Sequence, residues 1–374
     1  MAKILQNYTV VRDGWHNFLV DIAYWRGYYW LAYSRRMAHY AGDAKILVLK
    51  SMDLKRWHQV ADIDTVGNDW CPKLCPTGNR LWVNWFTSYP LTEGGRTMMG
   101  DMVSLEDIPR RDTDADRGPP TTITAYDTLS HVAYTDDGIG WSDPIPVWRN
   151  QNMWSLRIHD GSFYSAAWGW FGDVHEHIHG PLDFLSSQDA IHWKKVSRIA
   201  EVNYDRPDET DLWFWPDGEV WAISATWRYP KDHSVMYCSR PPYKEWERFD
   251  LKTTIRNPCF CECDGKLYVV GRNDIAGYEP EVWSNPQSTP PGNTVIFTVE
   301  KGKVTPFFAL PSIGDVWQQG LLSVEPGKLI CAYNSQHAYM TGVIPSKIPL
   351  PFYYKRPDVY IGDNDIYIAV IAVE

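Results

Sequence analysis

Ser187-Gln188-Asp189-Ala190-Ile191-His192-Trp193 decides the fold, because its pattern of hydroxyl, spacer, Asp, three residues and Trp recurs along the chain. Ser51 to Trp57 and Thr135 to Trp141 carry it in full, and Ser239 to Trp246 is a longer copy without the Asp. Thr135 to Ser187 and Ser187 to Ser239 each span 52 residues, a period expected of propeller blades and similar arrays. Ser51 to Thr135 spans 84, so one repeat carries an insertion. In such a turn the Asp or Ser side chain accepts hydrogen bonds from backbone N–H groups just onward. The Trp then covers its own hairpin with a large apolar ring.

Outward from these turns the chain consists of short alternating runs with no long segment of helical period, which predicts an all-β protein. Units begin at His16, near Asp69, at Trp154, and near Glu209, Asn257 and Asp315. Most have a tight first turn, at Arg26-Gly27, Asp160-Gly161, Asp217-Gly218, Asp264-Gly265 and Pro326-Gly327. Six units of four strands predict a six-bladed β-propeller with four-stranded antiparallel blades, whose radial repetition protects the sheet edges. We expect one domain over residues 1–374, with an inserted polar loop or lid at about 93–128. The sixth blade ends with Ile366 to Val373, or exchanges that strand with the N-terminal Tyr8-Thr9-Val10 to close the ring.

A net charge of −10 argues against nucleic acid or an anionic membrane surface as the partner, since both need basic patches. No apolar run approaches the ~20 residues of a membrane span. Met1 leads directly into polar sequence with no signal-peptide core, so the chain as written is expected in the cytoplasm; secretion stays open for a trimmed sequence. Seven cysteines do not make a complete disulfide framework. Cys259, Cys261 and Cys263 alternate along a strand without a Cys-x-x-Cys knuckle, and fit a core better than a metal site. No cofactor or metal is expected. The 14% aromatic content fits blade packing and sugar-stacking walls equally.

In an up-and-down blade the Gly turns and Trp turns share one face of the disc. Residues just before each first strand and just after each second strand share the other. That second face collects Arg36, His39, Asp69, Trp154, Arg157, His177, Glu209, Arg228, Arg272, Asp315, Gln318 and His337, so charged and aromatic groups converge on one mouth. His16, Arg256 and Asn257 also fall there.

At these residues the chain resembles the sialidase-like superfamily of six-bladed propellers, whose Asp-box repeat matches the Trp turns. It is more similar to bacterial glycan-active members than to classical neuraminidases. The segments that carry the resemblance are His16 to Trp57, Arg206 to Thr210, Asn257 to Arg272 and Pro311 to Asp315. The resemblance implies a carboxylate-binding arginine set, a tyrosine nucleophile raised by a glutamate, and an aspartic acid that protonates the leaving group. Arg228 and Arg272 fall where two arginines belong, Glu209 near the glutamate, and Arg157 or Arg36 supplies a third cation. The sixth blade departs from the pattern: Trp317-Gln318-Gln319 stands where a tyrosine is implied.

Glycoside cleavage normally uses two carboxyls flanking the scissile bond, which selects Glu209 and Asp315, with His39 as a further acid/base candidate and Asp21, Asp43 and Asp69 in reserve. Arginine's planar fork suits a carboxylate, so Arg157, Arg228 and Arg272 form the expected anion clamp. Arg36, Asp69, Trp154, His177, Gln318 and His337 are the remaining candidate substrate contacts. The expected activity is exo-removal of a terminal acidic sugar, sialic or uronic, from a glycan. Two alternatives stay open: a polysaccharide lyase using a His or Tyr base, for which the His175-Glu176-His177-Ile178-His179 loop is a source, and a non-catalytic glycan-binding propeller.

Overall fold

The Trp turns form as their composition dictates. Asp53 Oδ1 accepts from the N–H groups of Lys55 and Arg56 (both 2.9 Å), and Asp189 Oδ1 from those of Ile191 (2.9 Å) and His192 (2.7 Å). Asp137 Oδ1 does the same for Ile139 (2.8 Å) and Gly140 (2.9 Å). The residue after each Asp, Leu54, Gly138 or Ala190, takes the left-handed conformation with φ of 63°, 75° and 62°. Trp57 and Trp193 close two of the turns by donating Nε1–H to the carbonyls of Leu54 (2.9 Å) and Ala190 (2.8 Å). In the copy that lacks Asp, Ser239 Oγ donates to the Glu245 carbonyl (2.6 Å), and Trp246 Nε1 reaches Ser197 Oγ (3.1 Å) in the preceding blade.

The computed structural model describes residues 2–36, 44–65, 67–90, 126–171, 178–201, 205–226, 233–274, 292–312, 314–340 and 363–373. Each Trp turn joins the third strand of a blade to the fourth. Blade 1 is β2 (His16–Trp25), β3 (Tyr28–Arg36), β4 (Lys45–Ser51) and β5 (His58–Ile63), following β1 (Lys3–Val11) in the chain. Blade 2 is β6 (Asn68–Pro76), β7 (Leu81–Pro90), β8 (Tyr126–Thr135) and β9 (Ile145–Arg149). The first strand of blade 3 is in two pieces, β10 (Asn152–Met153) and β11 (Arg157–His159), both paired with β12 (Ser162–Phe171); β13 (Ile178–Ser187) and β14 (Trp193–Ala200) complete it. Blade 4 is β15 (Pro207–Phe214), β16 (Val220–Thr226), β17 (Val235–Ser239) and β18 (Glu247–Asp250). Blade 5 is β19 (Arg256–Cys263), β20 (Lys266–Asp274), β21 (Gly292–Glu300) and β22 (Lys303–Ala309). Blade 6 is β23 (Gly320–Leu322), β24 (Lys328–Ser335), β25 (Asp365–Ala372) and, outermost, β1, which runs antiparallel to β25 from Lys3 opposite Ala372 to Val11 opposite Ile366. The chain is thus a six-bladed β-propeller closed by its own N-terminal strand. One helical turn, α1 (His337–Met340), follows β24. Most of the expected insertion lies outside the described residues; its last three positions, 126–128, belong to β8.

The core is divided among the blade interfaces. Trp30, Trp85 and Val83 fill the wedge between blades 1 and 2, and Phe260, Ile223 and Val269 the wedge between blades 4 and 5. Cys259, Cys261, Cys263 and Cys331 lie in the wedge between blades 5 and 6. All are free and buried, and burial pushes the Cys259 thiol up to about 11, as expected of apolar core residues and not of ligating thiolates.

The inner strands of four blades carry a bulge near their start. The pairing register shifts between Phe18 and Asp21 in β2, Trp70 and Lys73 in β6, Pro207 and Thr210 in β15, and Arg256 and Cys259 in β19. Leu19, Cys71 and Asn257 inside these bulges have φ of 58°, 54° and 56°. A bulge inserts unpaired residues and re-aims side chains, so at one level of four blades the inner strand leaves its ladder and presents extra groups to the axis. At this level and toward the turn face, cross-blade contacts plug the ring. Asp21 accepts from Leu74 N–H (2.8 Å) and Asp211 from Phe260 N–H (2.7 Å). Trp154 Nε1 donates to the Pro258 carbonyl (3.1 Å), and Gln318 Nε2 to the Pro72 carbonyl (2.6 Å). Gly320 leaves the room this needs: a Cβ there would sit 2.5 Å from Ile22 N and 2.7 Å from Asp21 Oδ1.

Candidate active site at the bulge face

Glu209 stands in the bulge of β15, 4% exposed. Burial raises its carboxyl above the ordinary glutamate value against the opposing pull of Arg256 and then Arg272. Those arginines are cross-strand partners on β19 and β20, both buried. Among the described residues Glu209 Oε2 accepts no hydrogen bond. Arg272 also lies over the Trp317 ring, 4.9 Å from its centroid, which ties blades 4 and 5 to the segment of blade 6 that holds Asp315. Asp315 is 3% exposed, and its Oδ2 lies 2.8 Å from Nε2 of the buried His16, the first residue of β2. The mouth is therefore bounded by Glu209, Arg256, Arg272, Trp317, Asp315 and His16.

Arg36 closes the blade 1 side. Its guanidinium lies between the rings of Trp70 (4.1 Å) and Phe18 (4.6 Å). It donates to Asn68 Oδ1 (2.8 Å), Ser34 Oγ (2.7 Å) and the Asp69 carbonyl (2.6 Å). The Asp69 carboxylate faces inward instead, accepting from Thr65, Thr87 (2.7 Å) and Trp85 Nε1 (3.0 Å). Burial outweighs these bonds and pushes Asp69 up to about 6. Thr87 Oγ1 continues the network to His131 Nδ1 (3.1 Å), whose ring burial holds down to about 4.

Of the residues selected from sequence, Glu209, Asp315, Arg272 and Arg36 surround this mouth. Trp154, Arg157 and Gln318 instead belong to the axial plug. Arg157 forms a two-pronged pair with Asp211 of the next blade, through Nε (3.0 Å) and Nη2, so its fork is already occupied by a protein carboxylate. Burial of Asp211 is outweighed by Arg157, and its pKa falls below the ordinary aspartate value. His337, on α1, contacts Ser335 Oγ (2.9 Å) and packs its ring 4.4 Å from that of Tyr367, in a separate cluster with Arg12 and Asp365. His39, His177 and Arg228 lie outside the described residues, as do Asp43, His175 and Glu176. Among the described residues no group of three His, Cys, Asp or Glu side chains is arranged to hold a metal ion.

His16, Arg256 and Trp317 complete the mouth but were not among the residues selected. For Arg256 the signal was its position at the start of a first strand, shared with Asp69 and Glu209. The His16–Asp315 contact joins positions 299 residues apart and left no trace in local sequence.

No family model matches the chain, and no curated protein matches it in sequence. Solved structures do match in shape. A protein of unknown function from Dyadobacter fermentans aligns over 100% of this chain and 99% of its own, with a TM-score of 0.70 at 12% identity. The α-L-arabinofuranosidase of glycoside hydrolase family 93 from Fusarium graminearum, in complex with arabinobiose, aligns over 96% and 93%, with a TM-score of 0.57 at 13% identity. Trypanosoma rangeli sialidase, in complex with the inhibitor DANA, has a TM-score of 0.60 at 12% identity over 96% of this chain, which spans 55% of the sialidase's length. The chain shares with these sialidase and arabinofuranosidase structures the six-bladed propeller fold.

Proposed function

We propose that the protein is a glycan-active propeller that hydrolyses a glycosidic bond at the bulge face and releases a terminal acidic sugar. Glu209 acts as proton donor, Asp315 as the second carboxyl, and Arg256 and Arg272 as the anion clamp. The observation that carries this is the state of Glu209. The buried Arg157–Asp211 pair satisfies itself, as a structural ion pair must to offset desolvation. Glu209 instead keeps an oxygen without a hydrogen bond among the described residues, beside two arginines and a stacked tryptophan. A carboxyl that burial raises above the ordinary glutamate value is suited to general acid catalysis, and paired arginines suit a sugar carboxylate. The fold shared with sialidases and an arabinofuranosidase supports a carbohydrate substrate.

The test is release of monosaccharide from a panel of sialylated, uronate-containing and arabinose-containing glycans. Glu209→Gln should lower kcat by about 10³-fold, within the range of general acid catalysis, while glycan binding persists. Release by wild type and Glu209→Gln at equal rates would remove Glu209 from the chemistry. A second possibility, a glycan-binding propeller without turnover, is favoured by Trp317-Gln318-Gln319 in place of a tyrosine. It predicts binding on the same panel with no product. A product absorbing in the near ultraviolet would instead identify β-elimination.

A further inference from the structure

We propose that His16 and Asp315 act as one proton-holding pair, which takes the proton from the attacking water opposite Glu209. This role presupposes the glycosidase function above and adds to it a residue and a division of labour.

Four chain segments converge to hold this pair. His16 Nε2 lies 2.8 Å from Asp315 Oδ2, with the two side chains 0% and 1% exposed. The Asp315 backbone is fixed by three side-chain amides: its N–H donates to Gln336 Oε1 (2.9 Å), and its carbonyl accepts from Asn334 Nδ2 and Asn364 Nδ2 (2.8 Å). His16 is held by pairing with Arg36 across β2 and β3, by a bridge to Asn364, and by the edge of its ring against Phe18, 4.9 Å between centroids. The charged group facing the pair from β3 is Arg36, on Phe18 at 4.6 Å; Asn334, Gln336 and Asn364 are neutral.

This arrangement lets a buried site take up a proton. With the imidazole neutral and the carboxylate ionised the pair carries one negative charge; after protonation it is neutral overall. Either form is tolerable in a low-dielectric site, whereas a lone carboxylate there would bear the desolvation cost unaided. During hydrolysis Glu209 gives its proton to the glycosidic oxygen as the C–O bond breaks. The oxygen of water adds to the anomeric carbon, and one of its protons passes to the Asp315–His16 pair. Loss of that proton to solvent and uptake of one by Glu209 restore the site, with one water consumed per bond cleaved.

Two measurements test this. The first follows histidine ring resonances through a pH titration of the full-length wild type and Asp315→Asn. If the pair shares a proton, the His16 ring resonances differ between wild type and Asp315→Asn across the pH series; superimposable curves overturn the pairing. The second is the pH profile of kcat/KM for His16→Gln, whose amide can still donate to Asp315 but holds no proton. The pair must be deprotonated to accept a proton, so the acidic limb belongs to it. That limb should move down by more than one pH unit, with kcat reduced about 10²-fold and KM little changed. A wild-type profile and kcat in His16→Gln overturn the role. If wild type turns over no glycan, the glycosidase function fails and this role with it, while the ring titration still decides whether the pair shares a proton.

Discussion

Asp69 shows how a carboxyl on the site face becomes structural. It shares the first-strand position with the catalytic candidates, yet its carboxylate turns inward to Thr65, Thr87 and Trp85, and only its carbonyl serves the site by accepting from Arg36. Its folded pKa of about 6 lies above the ordinary 3.8. The folded state therefore holds this proton more tightly than the unfolded chain, so the contribution of Asp69 is full below pH 3.8 and is lost as pH rises to about 6. The stability of wild type minus that of Asp69→Asn, from urea unfolding at several pH values, should fall as pH rises across that window; a flat difference would contradict it. Which acidic residues face the mouth was legible from blade topology. Which of them already have a partner was not, because Arg157–Asp211 and His16–Asp315 join residues far apart in sequence. Burial and pairing depend on that three-dimensional neighbourhood.

At the scale of elements, the Trp turns were legible in full and the inner-strand bulges were not. A turn is a local contest among side-chain acceptors, backbone N–H groups and left-handed φ, and Asp, Gly and Trp at fixed spacing decide it. A bulge is a register shift between two strands, and its residues, such as Leu19-Val20 and Cys71-Pro72, follow no common pattern. The turns also separate conformational cost from packing cost. Gly27 and Gly138 both have positive φ, 80° and 75°. A Cβ on Gly27 would meet nothing within 4 Å, but one on Gly138 would lie 2.9 Å from Trp30 Cη2. Gly27→Ala should cost about 1–2 kcal/mol for the left-handed backbone alone, and Gly138→Ala roughly 1–3 kcal/mol more for overpacking against Trp30. Both should leave glycan turnover unchanged, since the turn face is opposite the site; equal losses in the two variants would show that the Trp30 wedge yields freely.

For the whole molecule, ring closure decides whether six marginal sheets become one structure. The strand β25 lies third in blade 6 and the N-terminal strand β1 lies fourth, so of the two alternatives read from the sequence the exchange with the N-terminal strand is realised, and Ile366 to Val373 is not the last strand of the blade. The seam is adjacent to the site: β25 follows Asn364, which holds Asp315 and bridges to His16, and β1 leads through Arg12 into β2. Without β1 the backbone of β25 becomes an open edge. Tyr8, Val10 and Val11, which pack against the wedge between blades 6 and 1, are lost with it, as is Asn7, whose Oδ1 accepts from Tyr333 (3.0 Å). An open strand edge invites pairing with other chains. A chain starting at Arg12 should therefore unfold at least ~10 °C lower, since several kcal/mol are lost at ~2–4 °C each in a large domain, and should aggregate on heating. A peptide of residues 3–11 added in trans should pair with β25 and recover both melting temperature and turnover in proportion to its occupancy. Recovery of stability without turnover would mean that closure supports the ring but not the His16–Asp315 geometry. Full activity of the truncated chain without peptide would show that blade 6 holds its site residues with three strands alone.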